Sequence, residues 1–201
     1  MTMTIDRQAG WWCAAAVSLL AIAAPLGCGD GRGGRDAADY RGTEPPLAVS
    51  LDYPPSWRLV EERGRAEPYA AVRVLGPRNA EDTYTAYMTV RGWLVPGEAG
   101  RMEEIDGRVH RYTSQLLDGS AVESDMRRRQ WGTDVRDLTV AYTVPPLHRA
   151  GLKPVQIPVR TRTLFLRRGE YAYEVSYSAD AREYASHQDA FDELLASLRF
   201  R

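Results

Sequence analysis

Residues 157–177 read IPVRTRTLFLRRGEYAYEVSY, and no other stretch constrains the fold as much. Ile157–Leu166 and Tyr171–Tyr177 are two runs of strand-forming residues divided by RRGE, where Gly169 can take the positive φ of a tight turn. Strand side chains alternate between faces, so Tyr171, Tyr173, Val175 and Tyr177 share one face. The pattern predicts a hairpin, and hairpins pair their strands antiparallel.

Other segments follow the same period. Leu47, Val49, Leu51 and Tyr53 alternate with small and polar residues until Pro54 and Pro55 stop the run. WRLVEE (57–62) and AAVRVLG (70–76) predict strands, and TYTAYMTVRGWLV (83–95) is the longest run of strand formers. A short strand is expected within 122–131. Leu138, Val140, Tyr142 and Val144 form a further strand face, followed by a proline-rich loop over 144–156.

Two segments change period. Met102, Ile105, Val109, Tyr112, Leu116 and Leu117 fall three and four apart, which predicts an amphipathic helix over 101–118. Gly107 costs it up to about 1 kcal/mol, and Asp118 with Gly119 supplies a stop. In the last segment Asp180 is expected as N-cap with Glu183 three residues on, before an apolar face of Tyr184, Phe191, Leu194, Leu195 and Leu198. Strands, helix, strands and helix in that order predict an α+β fold. The expected form is a single antiparallel β-sheet flanked by two main helices, over residues 47–201.

The N-terminus reads as targeting. Residues 1–10 are polar, and 11–27, WWCAAAVSLLAIAAPLG, carry no charge. That is the layout of a secretory signal. A membrane-spanning helix needs about 20 apolar residues; this run is shorter and contains Pro25. PLGC, residues 25–28, resembles the lipobox of bacterial lipoproteins. Gly27 and Cys28 stand at its two most restrictive positions, while Pro25 and Leu26 depart from the usual aliphatic-then-small pair. Three readings of Cys28 stay open: an acylated anchor, the unmodified end of a retained signal anchor, or half of a disulfide with Cys13. Acylation suits the flanks best, and acyl chains hold a membrane at about 0.8 kcal/mol per methylene. A pairing with Cys13 would reach into the apolar run itself. Either leading reading places residues 29–201 outside the cytoplasm, on the periplasmic side or cell surface. Residues 28–46, rich in Gly, Asp and Arg, are expected to be a flexible tether. GDGRGGRD within it looks like a calcium repeat, but such repeats need stacked copies and this one occurs once.

The 44% hydrophobic and 26% charged residues belong to a globular protein, and the net charge of −1 gives no pull toward nucleic acid. Lys153 is the one lysine among 26 basic residues, leaving 25 arginines. So uniform a bias reads as base composition of the genome.

Three places resemble the PsbP-like family. LDYPPSW (51–57) is similar to its opening strand, Tyr-Pro and Trp. YAYEVSYSADAREY (171–184) is similar to its late strand running into the last helix. FDELLASLRF (191–200) resembles its closing helix. The resemblance implies an α/β/α sandwich and a binding or assembly module in place of a catalyst, and no binding residue of the family carries over.

Catalytic signatures are missing from the sequence: there is no G-x-S-x-G, Walker loop, dinucleotide fingerprint or H-E-x-x-H. His110, His148 and His187 are scattered, so neither a metal site nor a cofactor is expected. Glu61–Glu62 and Glu103–Glu104 are adjacent in sequence and read as solvated. The dense basic run Arg127, Arg128 and Arg129, with Trp131 beside it, is the candidate partner-binding patch. A solvated edge strand is the plainer reading, because consecutive strand residues point to opposite faces. The expectation is therefore a membrane-anchored lipoprotein, not an enzyme, that binds a protein partner. A small-ligand carrier using the tyrosine-rich sheet face or a cleft by the 144–156 loop, and an unrecognised hydrolase, are the alternatives.

Overall fold

The structure, a computed structural model of the chain, describes residues 37–64, 69–95, 101–116, 119–144 and 156–201, with the backbone alone at 101–104. Cys28, Cys13, His148 and residues 29–36 of the expected tether lie outside the described residues.

Among the described residues ten strands and two α-helices follow one another. β1 (Ala38–Arg41), β2 (Val49–Tyr53), β3 (Arg58–Arg63), β4 (Tyr69–Arg78) and β5 (Thr85–Leu94) precede α1 (Arg101–Ser114). β6 (Ala121–Gln130), β7 (Thr133–Val144), β8 (Ile157–Arg168) and β9 (Tyr171–Asp180) come next, then a 3-10 turn (Tyr184–His187), α2 (Gln188–Ser197) and β10 (Arg199–Phe200). The large sheet has seven strands in the order β3-β4-β5-β9-β8-β7-β6, every neighbour antiparallel. After β5 the chain crosses through α1 to the far edge and meanders back, so that β9 closes against β5. A second, three-stranded sheet, β1-β2-β10, is also antiparallel.

The expectation of a single sheet is thus corrected to two. The small sheet needs β1 and β10, each too short to show a period, and β1 falls inside the stretch expected to be tether. Gly42 explains part of the closeness there: a Cβ on it would stand 1.8 Å from the Leu47 carbonyl oxygen.

The hairpin at Gly169 forms as expected, with φ of 59°. The large sheet separates two packed layers. On its inner face, α2 and the small sheet bury Val72, Val74, Met88, Val90, Leu164, Val175 and Tyr177 against Phe191, Leu194 and Leu198. On its outer face, α1 lays Ile105 and Val109 over Leu138, Val140 and Phe165. That contact follows from the three- and four-residue spacing, which brings one side of the helix onto β7 and β8.

The expected capping pair does not form. Asp180 ends β9, and its carboxylate accepts from Asn79 Nδ2 at 2.8 Å and from the Arg182 amide at 3.0 Å. Glu183 Oε1 accepts from the Ala80 amide at 2.8 Å. Both acids bind the β4–β5 turn, because β9 continues three residues beyond the expected end at Tyr177.

Candidate functional site

The structure divides the arginine run. β6 is an edge strand, and register with β7 turns Arg127 and Arg129 to the outer face and Arg128 to the inner one. Arg127 Nη2 donates to Asp106 Oδ2 of α1 at 2.7 Å. Arg136 joins the same carboxylate and grips Asp125 through Nε at 2.5 Å and Nη2 at 2.7 Å. Arg128 Nη2 lies 3.0 Å from Oδ2 of the buried Asp137, which also takes a two-bond fork from Arg162 at 3.0 and 2.9 Å. Arg129 is exposed and makes no ion pair among the described residues. Trp131 occupies the β6–β7 turn at φ 51°, beside Gly132 at 76°, the paired positive φ of a type I′ turn. Its ring packs edge-on against Phe200 at 5.5 Å. The four residues therefore do not share one surface.

Another cluster appears where the sequence drew no attention. Past the edge of α1, the outer face of β4, β5 and β9 presents polar and aromatic side chains in register. Tyr69 pairs with Trp93, Ala71 with Arg91 and Glu174, Arg73 with Thr89 and Ser176, and Leu75 with Tyr87 and Ser178. Three guanidiniums lie on rings here. Arg108, reaching from α1, is 3.6 Å from the Trp93 centroid, Arg91 is 4.4 Å from Tyr69, and Arg73 is 5.8 Å from Tyr87. Arg108 also donates to Glu174 at 3.2 Å, and Arg73 Nη1 lies 3.3 Å from Glu62. Burial holds the Arg108 pKa below its ordinary value; Glu174 opposes this, and Arg111 and Arg91 add to it by repulsion.

Further along this face a hydroxyl chain crosses the strands. Tyr84 meets Ser178 at 2.8 Å, Ser178 meets Thr161 at 2.8 Å, and Thr161 meets Tyr142 at 3.2 Å. Desolvation raises the pKa of both Tyr84 and Tyr142, so both remain neutral phenols.

His187 packs edge-on against Trp57 at 5.7 Å. Among the described residues no group of three or more His, Cys, Asp or Glu is placed to hold a metal ion. Glu61 and Glu62 point to opposite sheet faces, toward Tyr40 and Arg73. The tyrosine-rich face of β9 is solid core, with Tyr173 6% and Tyr177 0% exposed. A cleft between α1 and the sheet, walled by Trp93, Ile105, Arg108 and Phe165, holds about 10 Å³. That is room for one water, whereas small-ligand sites run to roughly 300 Å³ or more.

No family model matches the chain, and no curated protein matches it in sequence. Solved structures match it in fold. A protein of unknown function from Pseudomonas aeruginosa, described as a putative regulator, superposes with a TM-score of 0.53 at 14% identity, over 82% of this chain and 97% of that one. The cyanobacterial PsbP of Synechocystis sp. PCC 6803 superposes with a TM-score of 0.51 at 13% identity, over 89% of this chain and all of that one. The chain therefore has a PsbP-like fold. At these identities the likeness is one of fold.

Proposed function

We propose that the chain is an extracytoplasmic lipoprotein, acylated at Cys28, whose PsbP-like domain binds a protein partner and catalyses no reaction. The observation that carries the binding role is the outer face of β4, β5 and β9. It sets guanidiniums over aromatic rings on rigid strands, and those are the side chain types that dominate protein interfaces. The solid tyrosine face removes one of the two expected carrier sites; the other, by the 144–156 loop, falls largely outside the described residues. Anchoring is supported by Gly27–Cys28 at the end of the uncharged run. No helix of the described residues is long and apolar enough to cross a membrane. With β1 beginning at residue 38, the spacer after Cys28 is residues 29–37, which reaches at most about 30 Å when extended.

Metabolic labelling with a fatty acid tests the anchor. The label should enter the wild type and vanish in Cys28→Ser. A chain that stays unlabelled and keeps residues 1–27 in its mass is a signal anchor instead. Cross-linking on intact membranes tests the module, which should recover one specific protein.

A further inference from the structure

We propose that the outer face of β4, β5 and β9 docks an extended acidic segment of a protein partner, its carboxylates taken by Arg73, Arg91 and Arg108 and its backbone lying over Tyr69, Tyr87 and Trp93. The proposal rests on the binding-module reading and specifies the surface and the chemistry.

Charge selects the occupant. Over the paired rows from Tyr69 to Leu75, which leave out Asp180 at the end of β9, the described side chains of this face with Arg108 carry four cations, Arg58, Arg73, Arg91 and Arg108, against two acids, Glu62 and Glu174. The chain as a whole has a net charge of −1, so this face departs from the average. Nε of Arg73 and Nε of Arg108 are buried without a hydrogen-bond partner. Guanidiniums laid on rings keep their N–H groups directed sideways, in the geometry of a carboxylate fork.

Shape selects an extended segment. The paired rows from Tyr69 to Leu75 span about 20 Å, the length of roughly six strand residues. An extended partner turns every second side chain toward the sheet at about 6.8 Å, the same step that separates Arg91 from Trp93 on β5. Arg73 and Arg108 are recessed, only 33% and 29% exposed. A planar lipid surface meets partly covered guanidiniums less readily than a single strand of peptide does.

The test uses the full acylated chain in zwitterionic micelles and a fluorescein-labelled decapeptide with Glu at every second position, read by anisotropy. Binding should weaken as salt rises and fall at least tenfold when the glutamates become Gln. It should fall at least tenfold in Arg73→Glu and about threefold in Arg58→Glu, which sits on the exposed edge strand of the same face and leaves the core untouched. Arg129→Glu should bind as the wild type does. Thermal melts of each variant confirm folding. Equal binding by wild type, Arg73→Glu and Arg58→Glu overturns the proposal. So does preference for phosphatidylglycerol vesicles over the peptide through the same arginines. A protein partner lost in Arg129→Glu and kept in Arg73→Glu removes this face while leaving the binding module standing.

Discussion

The two faces of the seven-stranded sheet are built from the same strands and have opposite chemistry. β9 shows it within ten residues. Tyr173, Val175, Tyr177 and Ala179 turn inward and are almost wholly buried. Glu174, Ser176, Ser178 and Asp180 turn outward and are polar throughout. Inside, Tyr177 lies 4.6 Å from Tyr184 and 5.5 Å from Phe191, and its hydroxyl donates to the Tyr184 carbonyl at 2.7 Å. Outside, rings support cations and hydroxyls bond one another. Aromatic residues thus do two jobs in one sheet: they pack on the inner face, where Arg160, Arg162 and Arg168 also lie against Tyr184, Phe191 and Phe200, and they mainly support cations on the outer one. The inner face holds the fold, which leaves the outer one available for recognition.

The largest expected effect tests that division directly. Phe191→Ala removes a fully buried ring from the inner layer and should cost about 3–5 kcal/mol in urea unfolding. Tyr87→Ala removes a half-buried outer ring whose role is to support Arg73, and should cost about 1 kcal/mol. Equal losses would break the comparison.

Asp180 is the outer face's exception, a buried carboxylate whose work is stability. Hydrogen bonds from Arg182, helped by Asn79, outweigh desolvation and hold its pKa down at about 2. An acid whose folded pKa lies below its unfolded value of about 3.9 contributes stability that is complete above that value. The contribution is lost as pH falls from about 4 through 2. The shift corresponds to about 2 kcal/mol. Unfolding midpoints measured from pH 6 to pH 2 should drop over this window in the wild type, and much less in Asp180→Asn. An unchanged slope in that variant would place the acid sensitivity elsewhere.

How far the fold was legible follows from where its period is long. Strands of ten or more residues, such as β5 and β8, repeat their alternation often enough to be read, and α1 shows its helical stripe plainly. β1 and β10 have four and two residues, too few for any period, so the second sheet was invisible and part of it was read as tether. Asp180 was read as a cap because its neighbours fit a capping box. The outcome was decided by Asn79, which lies 101 residues away in sequence. The candidate surface hid for a similar reason. AAVRVLG and TYTAYMTVRGWLV display their outer arginines and tyrosines at every second position, but adjacency in space comes from register between strands. Arg108 reaches Trp93 only through the packing of α1. The dense run Arg127–Arg129 drew attention because it is contiguous, and contiguity on a strand separates side chains.

That separation can be measured in the run itself, where the effects are smaller and should alternate. Arg128→Ala leaves Asp137, 2% exposed, with one guanidinium in place of two, and the surviving Arg162 fork limits the loss to about 1–2 kcal/mol. Arg127→Ala breaks a surface pair with Asp106, which Arg136 still holds, and should cost under about 0.5 kcal/mol. Arg129→Ala should change stability least, within about 0.5 kcal/mol of zero, because an exposed edge side chain without an ion pair has little to lose. Urea midpoints for the three variants should therefore fall, in chain order, small, large and smallest. A triplet acting as one patch would show similar losses at all three positions, and a reversed order would mean that β6 pairs with β7 one residue out of the register seen here.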